Sequence, residues 1–281
     1  MGSLSLAERS RCLDAILGEM GSVLVAYSGG VDSAFLAVAA HRVLGAQALA
    51  VTADSESLSE DQRSQALSVA REFGFAHRMV ATREIENPLY LRNEADRCFH
   101  CKAELFKALF PLAEAEGLAH VAYGLIVDDL GDYRPGQRAA AESGVRTPLA
   151  DAGLGKEDVR ALSRALGLPT ADLPASPCLA SRVAYGIPIS SLSLRKVEAA
   201  EAAVRSLGFR ELRVRHLDNG ARVEIAPVEL DRLREEPGLE EKIVTAVRAA
   251  GYDAATVDPE GYRQGRLNEL LPKGTPLGSS T

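Results

Sequence analysis

The chain has no apolar run long enough to span a bilayer, no block of lysine and arginine, no internal repeat and no low-complexity segment. It carries 32 Lys and Arg against 39 Asp and Glu, a formal charge of -7. Phosphate neutralisation dominates general nucleic-acid affinity, so an acidic chain without a basic tail is a poor candidate for it. Cysteine is scarce: four in 281 residues cannot build a disulfide scaffold, and their spacing becomes the question. What is present is the balance of a soluble globular protein, 46% hydrophobic and 25% charged, with length for one large domain or two smaller ones. The opening "MGSLSLAERSRCLDAIL" reads as an amphipathic helix with charges inside it, not a secretory signal, and the expectation is a cytoplasmic protein.

The first half alternates short apolar runs with helical patterns. "SVLVAYS", "AQALAVTAD", "HRMVAT" and "HVAYGLIVDD" are strand candidates. Between and after them lie a helix from about Ser33 to Leu44, then "SEDQRSQALSVAREFG", "HCKAELFKALFPLAEAEG" and "KEDVRALSRALG". This order predicts an α/β fold, a doubly wound parallel sheet covered on both faces. After about Pro188 a helix precedes "ELRVRHLDNGARVEIA", a hairpin turning at Asp218-Asn219-Gly220, and another helix precedes "AATVDPEGYRQG". The expectation is a domain over 1–187 and a smaller α+β domain over 188–281, with the Pro-, Gly- and Ser-rich end from Leu271 frayed.

One corner stands out. "SGGVDS", Ser28 to Ser33, follows the first strand, at the strand end where open parallel sheets bind ligands. Gly29 and Gly30 let the backbone turn and approach a ligand closely. The following helix offers N–H groups and a positive dipole end, which favour an anion such as phosphate. Ser28 and Ser33 add hydroxyl donors, and Asp32 beside phosphate suits a bridging magnesium ion. The bland alternative is a strand-to-helix turn capped by Ser or Asp. It is not a Walker-type loop, since the spaced glycines and the Gly-Lys-Ser/Thr ending are absent.

The string resembles the PP-loop of the ATP pyrophosphatase superfamily, whose members cleave ATP between the α- and β-phosphates and adenylate a substrate oxygen. The resemblance implies pyrophosphate at Ser28, Gly29, Gly30, Asp32 and Ser33, and an adenine site near Thr52 and Ala53. Four further stretches, "RCFHCKAELF", "DDLGDYRPGQRAA", "LPASPCLASRVAYG" and "VDPEGYRQGRLNE", resemble the ATP-dependent sulfur transferases that thiolate pyridinium-3,5-biscarboxylic acid mononucleotide in nickel-pincer cofactor biosynthesis. Superfamily members often carry Gly-Thr-Asn before the paired aspartates; this chain reads Gly124-Leu125-Ile126-Val127 and lacks those two polar groups.

The resemblance makes Cys178 the sulfur-bearing cysteine, which in one branch of the family is consumed to dehydroalanine. In another branch three cysteines hold a 4Fe–4S cluster with one open iron, and Cys98, Cys101 and Cys178 match that count. Read without the family, thiolates at Cys98 and Cys101 suit a cluster or a zinc clip with His100 or His77, or are simply two half-buried thiols. Cys178 in the family motif favours the cluster, and a 4Fe–4S cluster on the three cysteines is the expectation. Cys12 reads as a small buried side chain in a helix. Arg213 and Arg215 alternate along a strand and project to one face. The family places a substrate-phosphate-binding arginine pair there, and suggests that Glu201, Glu224 and Asp231 gather as a metal or phosphate-contact group. Asp128, Asp129, Asp132 and Arg134 follow the fourth strand, with Asp129 placed in the ATP set. Lys156 and Arg160 open a helix and could hold ATP phosphates. The family also implies a homo-oligomer, possibly a hexamer.

Rival functions are a PP-loop tRNA thiolase, an amide-forming ATP pyrophosphatase, and a non-catalytic nucleotide-binding iron–sulfur carrier. The acidic charge argues against the first. Amide formation gives no reason for Cys98, Cys101 and Cys178, and the intact "SGGVDS" argues against the carrier.

Overall fold

The computed structural model describes residues 4–130, 135–263 and 266. Its elements in chain order are α1 (Leu6–Met20), β1 (Val23–Ala26), α2 (Val31–Leu44), β2 (Ala48–Asp54), α3 (Glu60–Phe73), β3 (His77–Ala81), α4 (Pro88–Leu91), α5 (Arg97–Ala115), β4 (His120–Tyr123), α6 (Pro135–Glu142), α7 (Pro148–Asp151), α8 (Lys156–Ala165), α9 (Ser191–Ser206), β5 (Leu212–Leu217), β6 (Gly220–Ile225), α10 (Asp231–Glu235), α11 (Leu239–Ala249) and β7 (Ala255–Val257). Among the described residues no helix is long and apolar enough to cross a membrane.

The elements gather into two compact units, Met1–Glu84 with Cys98–Ser176, and Ile85–Arg97 with Pro177–Thr281. The division therefore differs from a single cut at 187/188. Asn93 supplies the reason: it is fully buried, has a positive φ of 54°, and its amide donates to the carbonyls of Val183, Ala184 and Ile187. That one side chain binds a segment from before α5 to the loop before α9.

The first unit is built on a parallel sheet of order β3-β2-β1-β4. β1 is buried along its whole length, and its side chains alternate between two cores. Val23 and Val25 join Leu13, Leu17, Phe35, Leu36 and Val69 from α1, α2 and α3. Leu24 and Ala26 join Phe106, Leu109 and Ala139 from α5 and α6. Helices on both faces explain why the strand is continuously apolar rather than alternating. Strand order reverses between β1 and β4, so the loops leaving those strands flank the crevice where such sheets take ligands. β4 ends at Tyr123, short of the expected "HVAYGLIVDD", because the Leu125 N–H turns back onto the Tyr123 carbonyl. α2 begins at Val31, two residues before the expected start.

The second unit pairs β5 with β6 through the tight turn at Asp218-Asn219-Gly220, and β7 joins β6 in parallel. Leu212, Val214, Val223 and Ile225 face α9 and α11, burying Val204, Phe209, Ile243 and Val247. Period-two alternation places Arg213, Arg215, Arg222 and Glu224 on the opposite face.

Candidate active site

The Ser28–Ser33 corner, where the sequence suggests phosphate, is shaped by what Gly29 and Gly30 permit. Gly29 has φ +77°, and a Cβ there would stand 3.2 Å from that of Ala66, so α3 packs directly on the loop. Gln65 of α3 donates to the Gly29 carbonyl at 2.6 Å. Gly30 is the N-cap of α2 and carries no side chain to occupy the first-turn amides. Ser33 does not aim its hydroxyl outward. It is buried, donates to the Gly30 carbonyl at 3.1 Å and accepts from the Ser28 N–H at 3.1 Å. Ser28 is exposed, its Oγ 3.1 Å from that of Ser33. Gly124, after β4, meets the same turn: a Cβ there would stand 3.0 Å from the Asp32 carbonyl carbon and from the Ser33 nitrogen.

Asp32 is half-buried and held by Lys156, whose Nζ donates to both carboxylate oxygens at 2.8 and 2.7 Å. Lys156 is the first residue of α8, and its N–H donates to Asp128 Oδ2 at 2.8 Å. The α8 N-cap is Gly155, where a Cβ would stand 2.7 Å from that Asp128 oxygen. Asp128 thus caps α8 from outside the helix. The Asp129 carboxylate instead turns back towards the Ile126 N–H at 3.4 Å, and its carbonyl accepts from Gln137. Arg160 donates to the carbonyls of Ala171 and Leu173, bracing the chain after α8. Asp132 and Arg134 lie outside the described residues.

Thr52 is buried; its Oγ1 donates to the Tyr27 carbonyl at 2.8 Å and lies 2.8 Å from His77 Nε2. The Thr52 hydroxyl is therefore engaged inside the protein, while neighbouring Ala53 is half-buried. With the hydroxyl proton committed to Tyr27, His77 Nε2 is the donor to Thr52. Burial holds the His77 imidazole below its ordinary pKa, favouring the neutral ring.

In the second unit the charged sheet face is buried rather than solvated. Arg213 and Arg215 are each 6% exposed, and their guanidinium carbons lie 4.9 and 5.9 Å from the centre of the Tyr262 ring. Arg215 pairs with fully buried Glu224 at 2.8 Å, and Arg222 reaches the other Glu224 oxygen at 3.0 Å. Glu201 pairs with Arg182 and Arg205, each at 2.9 Å. Burial alone would raise the Glu201 carboxyl, but the Arg182 charge and hydrogen bond hold it below the ordinary carboxylate range. Asp231 differs: it is exposed and pairs with Arg234 along its own helix. The Arg182 contact with Glu201 and the Lys156 contact with Asp32 join different elements and are not announced by any local pattern, whereas Arg205 meets Glu201 at i,i+4 on α9.

All four cysteines are outside disulfides; Cys98 is exposed, and Cys101 and Cys178 are half-buried. Cys98 and Cys101 lie in the first turn and a half of α5, in the first unit, and Cys178 belongs to the second. Among the described residues no three His, Cys, Asp or Glu side chains form a group able to hold a metal.

Residues 12–104 match the NAD synthase family model. The chain is 44% identical to an uncharacterized protein of Synechocystis sp., covering 93% of this chain and 97% of that one. It is 33% identical to the pyridinium-3,5-bisthiocarboxylic acid mononucleotide synthase of Lactiplantibacillus plantarum, covering 96% and 97%. An uncharacterized protein of Methanocaldococcus jannaschii is 27% identical over 86% and 90%. With a glycine-capped turn at the sheet's switch point and an identity that runs through both units, the chain belongs to the pyridinium-3,5-bisthiocarboxylic acid mononucleotide synthase family.

Proposed function

We infer that this protein is an ATP-dependent sulfur transferase that replaces carboxylate oxygen by sulfur in pyridinium-3,5-biscarboxylic acid mononucleotide, a step of nickel-pincer cofactor biosynthesis. The observation that carries the reading is the Gly30-capped start of α2, with Asp32 and Lys156 at its mouth, in a chain collinear with a synthase of the bisthiocarboxylic product.

A carboxylate resists substitution because its leaving group would be oxide. Its oxygen attacks the α-phosphorus of ATP, the bond to the bridging oxygen breaks, and pyrophosphate leaves with that electron pair. The first-turn amides of α2 and the Ser28 hydroxyl hold the departing charge. Magnesium, when bound, neutralises phosphate charge. Asp32 fits it: one carboxylate together with phosphate oxygens is an ordinary magnesium set, and Lys156 keeps that carboxylate at the mouth of the corner. The Cys178 thiolate then attacks the acyl carbon, and AMP leaves with its bonding pair. Loss of the Cys178 Cα proton and cleavage of its Cβ–Sγ bond release thiocarboxylate and leave dehydroalanine, so each chain serves once. Arg213 and Arg215, stacked at Tyr262, are assigned to the substrate phosphate.

A second reading keeps the polypeptide intact and has a 4Fe–4S cluster on Cys98, Cys101 and Cys178 supply the sulfur. The exposed and half-buried thiols of Cys98 and Cys101, one helical turn apart, favour it. The described residues do not complete a donor set, so no step is derived through the cluster. The deciding experiment mixes anaerobic protein with Mg-ATP and the biscarboxylate mononucleotide, and follows pyrophosphate, thiolated product and intact protein mass together. Product with Cys178 converted to dehydroalanine establishes sacrificial transfer; product at unchanged mass establishes an external sulfur source. Absence of substrate-dependent pyrophosphate from both apo and cluster-reconstituted protein would sink the transferase reading. Sedimentation of the same sample reads the homo-oligomer and the cell fraction reads the cytoplasmic assignment that accompany this proposal.

A further inference from the structure

Arg182 closes the short helical turn Leu179–Arg182, and its side chain folds back over the residues that open that turn. It is 3% exposed. One edge of the guanidinium faces Glu201, with Nε 2.9 Å from Oε1 and Nη2 3.4 Å from Oε2. The remaining nitrogen, Nη1, donates to the Pro177 carbonyl, to the Cys178 carbonyl at 3.1 Å and to Ser181 Oγ at 3.1 Å. Ser181 adds two donors of its own to the Cys178 carbonyl, its hydroxyl at 2.7 Å and its N–H at 2.9 Å.

We propose that Arg182, held in place by Glu201, is a positioning residue for Cys178: it fixes the peptide planes on both sides of the Cys178 Cα so that the thiol has only its χ1 rotation left. The proposal rests on the reading that Cys178 handles the sulfur. Two features separate it from a role in stability alone. A buried ion pair is weak support for a fold, since well-packed apolar residues serve as well. An apolar pair could not present a planar fork with one edge on a carboxylate and the last nitrogen on the carbonyls either side of one α-carbon. Glu201 is also saturated. Beyond Arg182, its Oε1 accepts from the Val214 N–H at 3.1 Å and its Oε2 from Arg205 at 2.9 Å. Four donors fill the four acceptor sites of a carboxylate, so Glu201 acts through Arg182 rather than as the metal or phosphate contact the family resemblance implies.

The test compares wild type with Arg182→Lys and Glu201→Gln in anaerobic single turnovers, reading pyrophosphate release and thiolated product separately. A lysine reaches one partner but not all of them. Pyrophosphate release should stay within about twofold of wild type, while sulfur transfer falls on the order of 100-fold in Arg182→Lys, the scale of an ångström misplacement at a reacting atom. Glu201→Gln should lose roughly 10-fold in the same step. An unchanged transfer rate, or equal losses in both steps, would overturn the proposal, because a merely structural defect does not separate them. If either variant fails to fold, Ser181→Ala, which leaves the ion pair intact, should lose transfer alone by about fivefold, and no loss there would refute the clamp. If the wild type makes no pyrophosphate at all, the functional reading fails and the clamp is judged by alkylation. The rate of Cys178 modification by iodoacetamide should then change severalfold in Arg182→Lys with that of Cys98 unchanged, and equal rates at Cys178 would overturn it.

Discussion

Gly124→Ala tests the phosphate corner without touching a polar group. The added Cβ would stand 3.0 Å from the Asp32 carbonyl carbon and the Ser33 nitrogen, about 0.4 Å short of ordinary contact. Neither side yields easily. The start of α2 is tied by Ser33 to the Gly30 carbonyl and the Ser28 N–H, and Tyr123, just before Gly124, is held by β1 and by the Arg146 carbonyl. Overpacking of this kind costs about 2 kcal/mol, or roughly 4–8 °C in Tm for a unit of this size. The same shift moves the α2 amides that would meet phosphate, and detuning one such hydrogen bond by about 1 kcal/mol raises the ATP Kd roughly fivefold. Gly18→Ala is the matched control: that helical glycine is exposed and has nothing within 4 Å of its added Cβ. It should gain about 0.5–1 kcal/mol and leave ATP affinity alone. Calorimetric ATP titration and thermal melting read both variants. A Gly124→Ala protein that binds and melts like wild type would refute the close approach of the β4 loop to α2.

Lys156→Met should weaken ATP binding by about fivefold and make it depend more steeply on magnesium, because the Asp32 carboxylate is then left uncompensated beside phosphate; equal titrations in EDTA and magnesium would count against this. Glu224→Gln leaves Arg215 buried without its charge partner and should cost about 3 kcal/mol in urea unfolding. The double variant Arg215→Met with Glu224→Leu should recover most of that stability yet bind substrate mononucleotide poorly, and retained binding would remove Arg215 from the phosphate site. Stability should fall as pH drops from 7 towards 5. Burial lowers the pKa of His77 and of His216, the latter with help from Lys196, so the unfolded chain takes up protons first. Below that range Glu201 and Asp54 continue the same trend, since their arginine partners hold both carboxyls low and their contribution disappears as they protonate. A flat pH–stability profile between 7 and 5 would contradict the histidine assignments.

Periodicity is a local property, and it located the strands of both sheets, though β4 stops at Tyr123 and α2 starts at Val31 rather than where the pattern put their bounds. The continuous run Val23–Ala26 is a doubly covered strand, and the Asp218-Asn219-Gly220 turn joins β5 to β6. The four-residue apolar run of β1 could be read because its neighbours on both faces are apolar as well. "HVAYGLIVDD" misled because Leu125 and Ile126 are buried without being in a strand, and hydropathy reports burial rather than backbone conformation. The unit boundary was invisible because Asn93, one polar residue before α5, draws its segment to carbonyls some 90 residues later.

Sequence alone determined the α/β class, the glycine turn that joins β1 to α2 and the family, because glycine spacing, strand periodicity and linear identity are properties of neighbouring residues. Tertiary structure alone decided how those residues are used. Asp32 meets Lys156 across 124 positions, Asp128 rather than Asp129 caps α8, and Arg213 and Arg215 turn out buried against Tyr262. Glu201 spends its acceptor sites on Arg182, Arg205 and Val214. The physical reason is that a charged or hydrogen-bonding group finds its partner in space, and apart from the Arg205 pair along α9 each of these partners comes from another element, which no local pattern encodes.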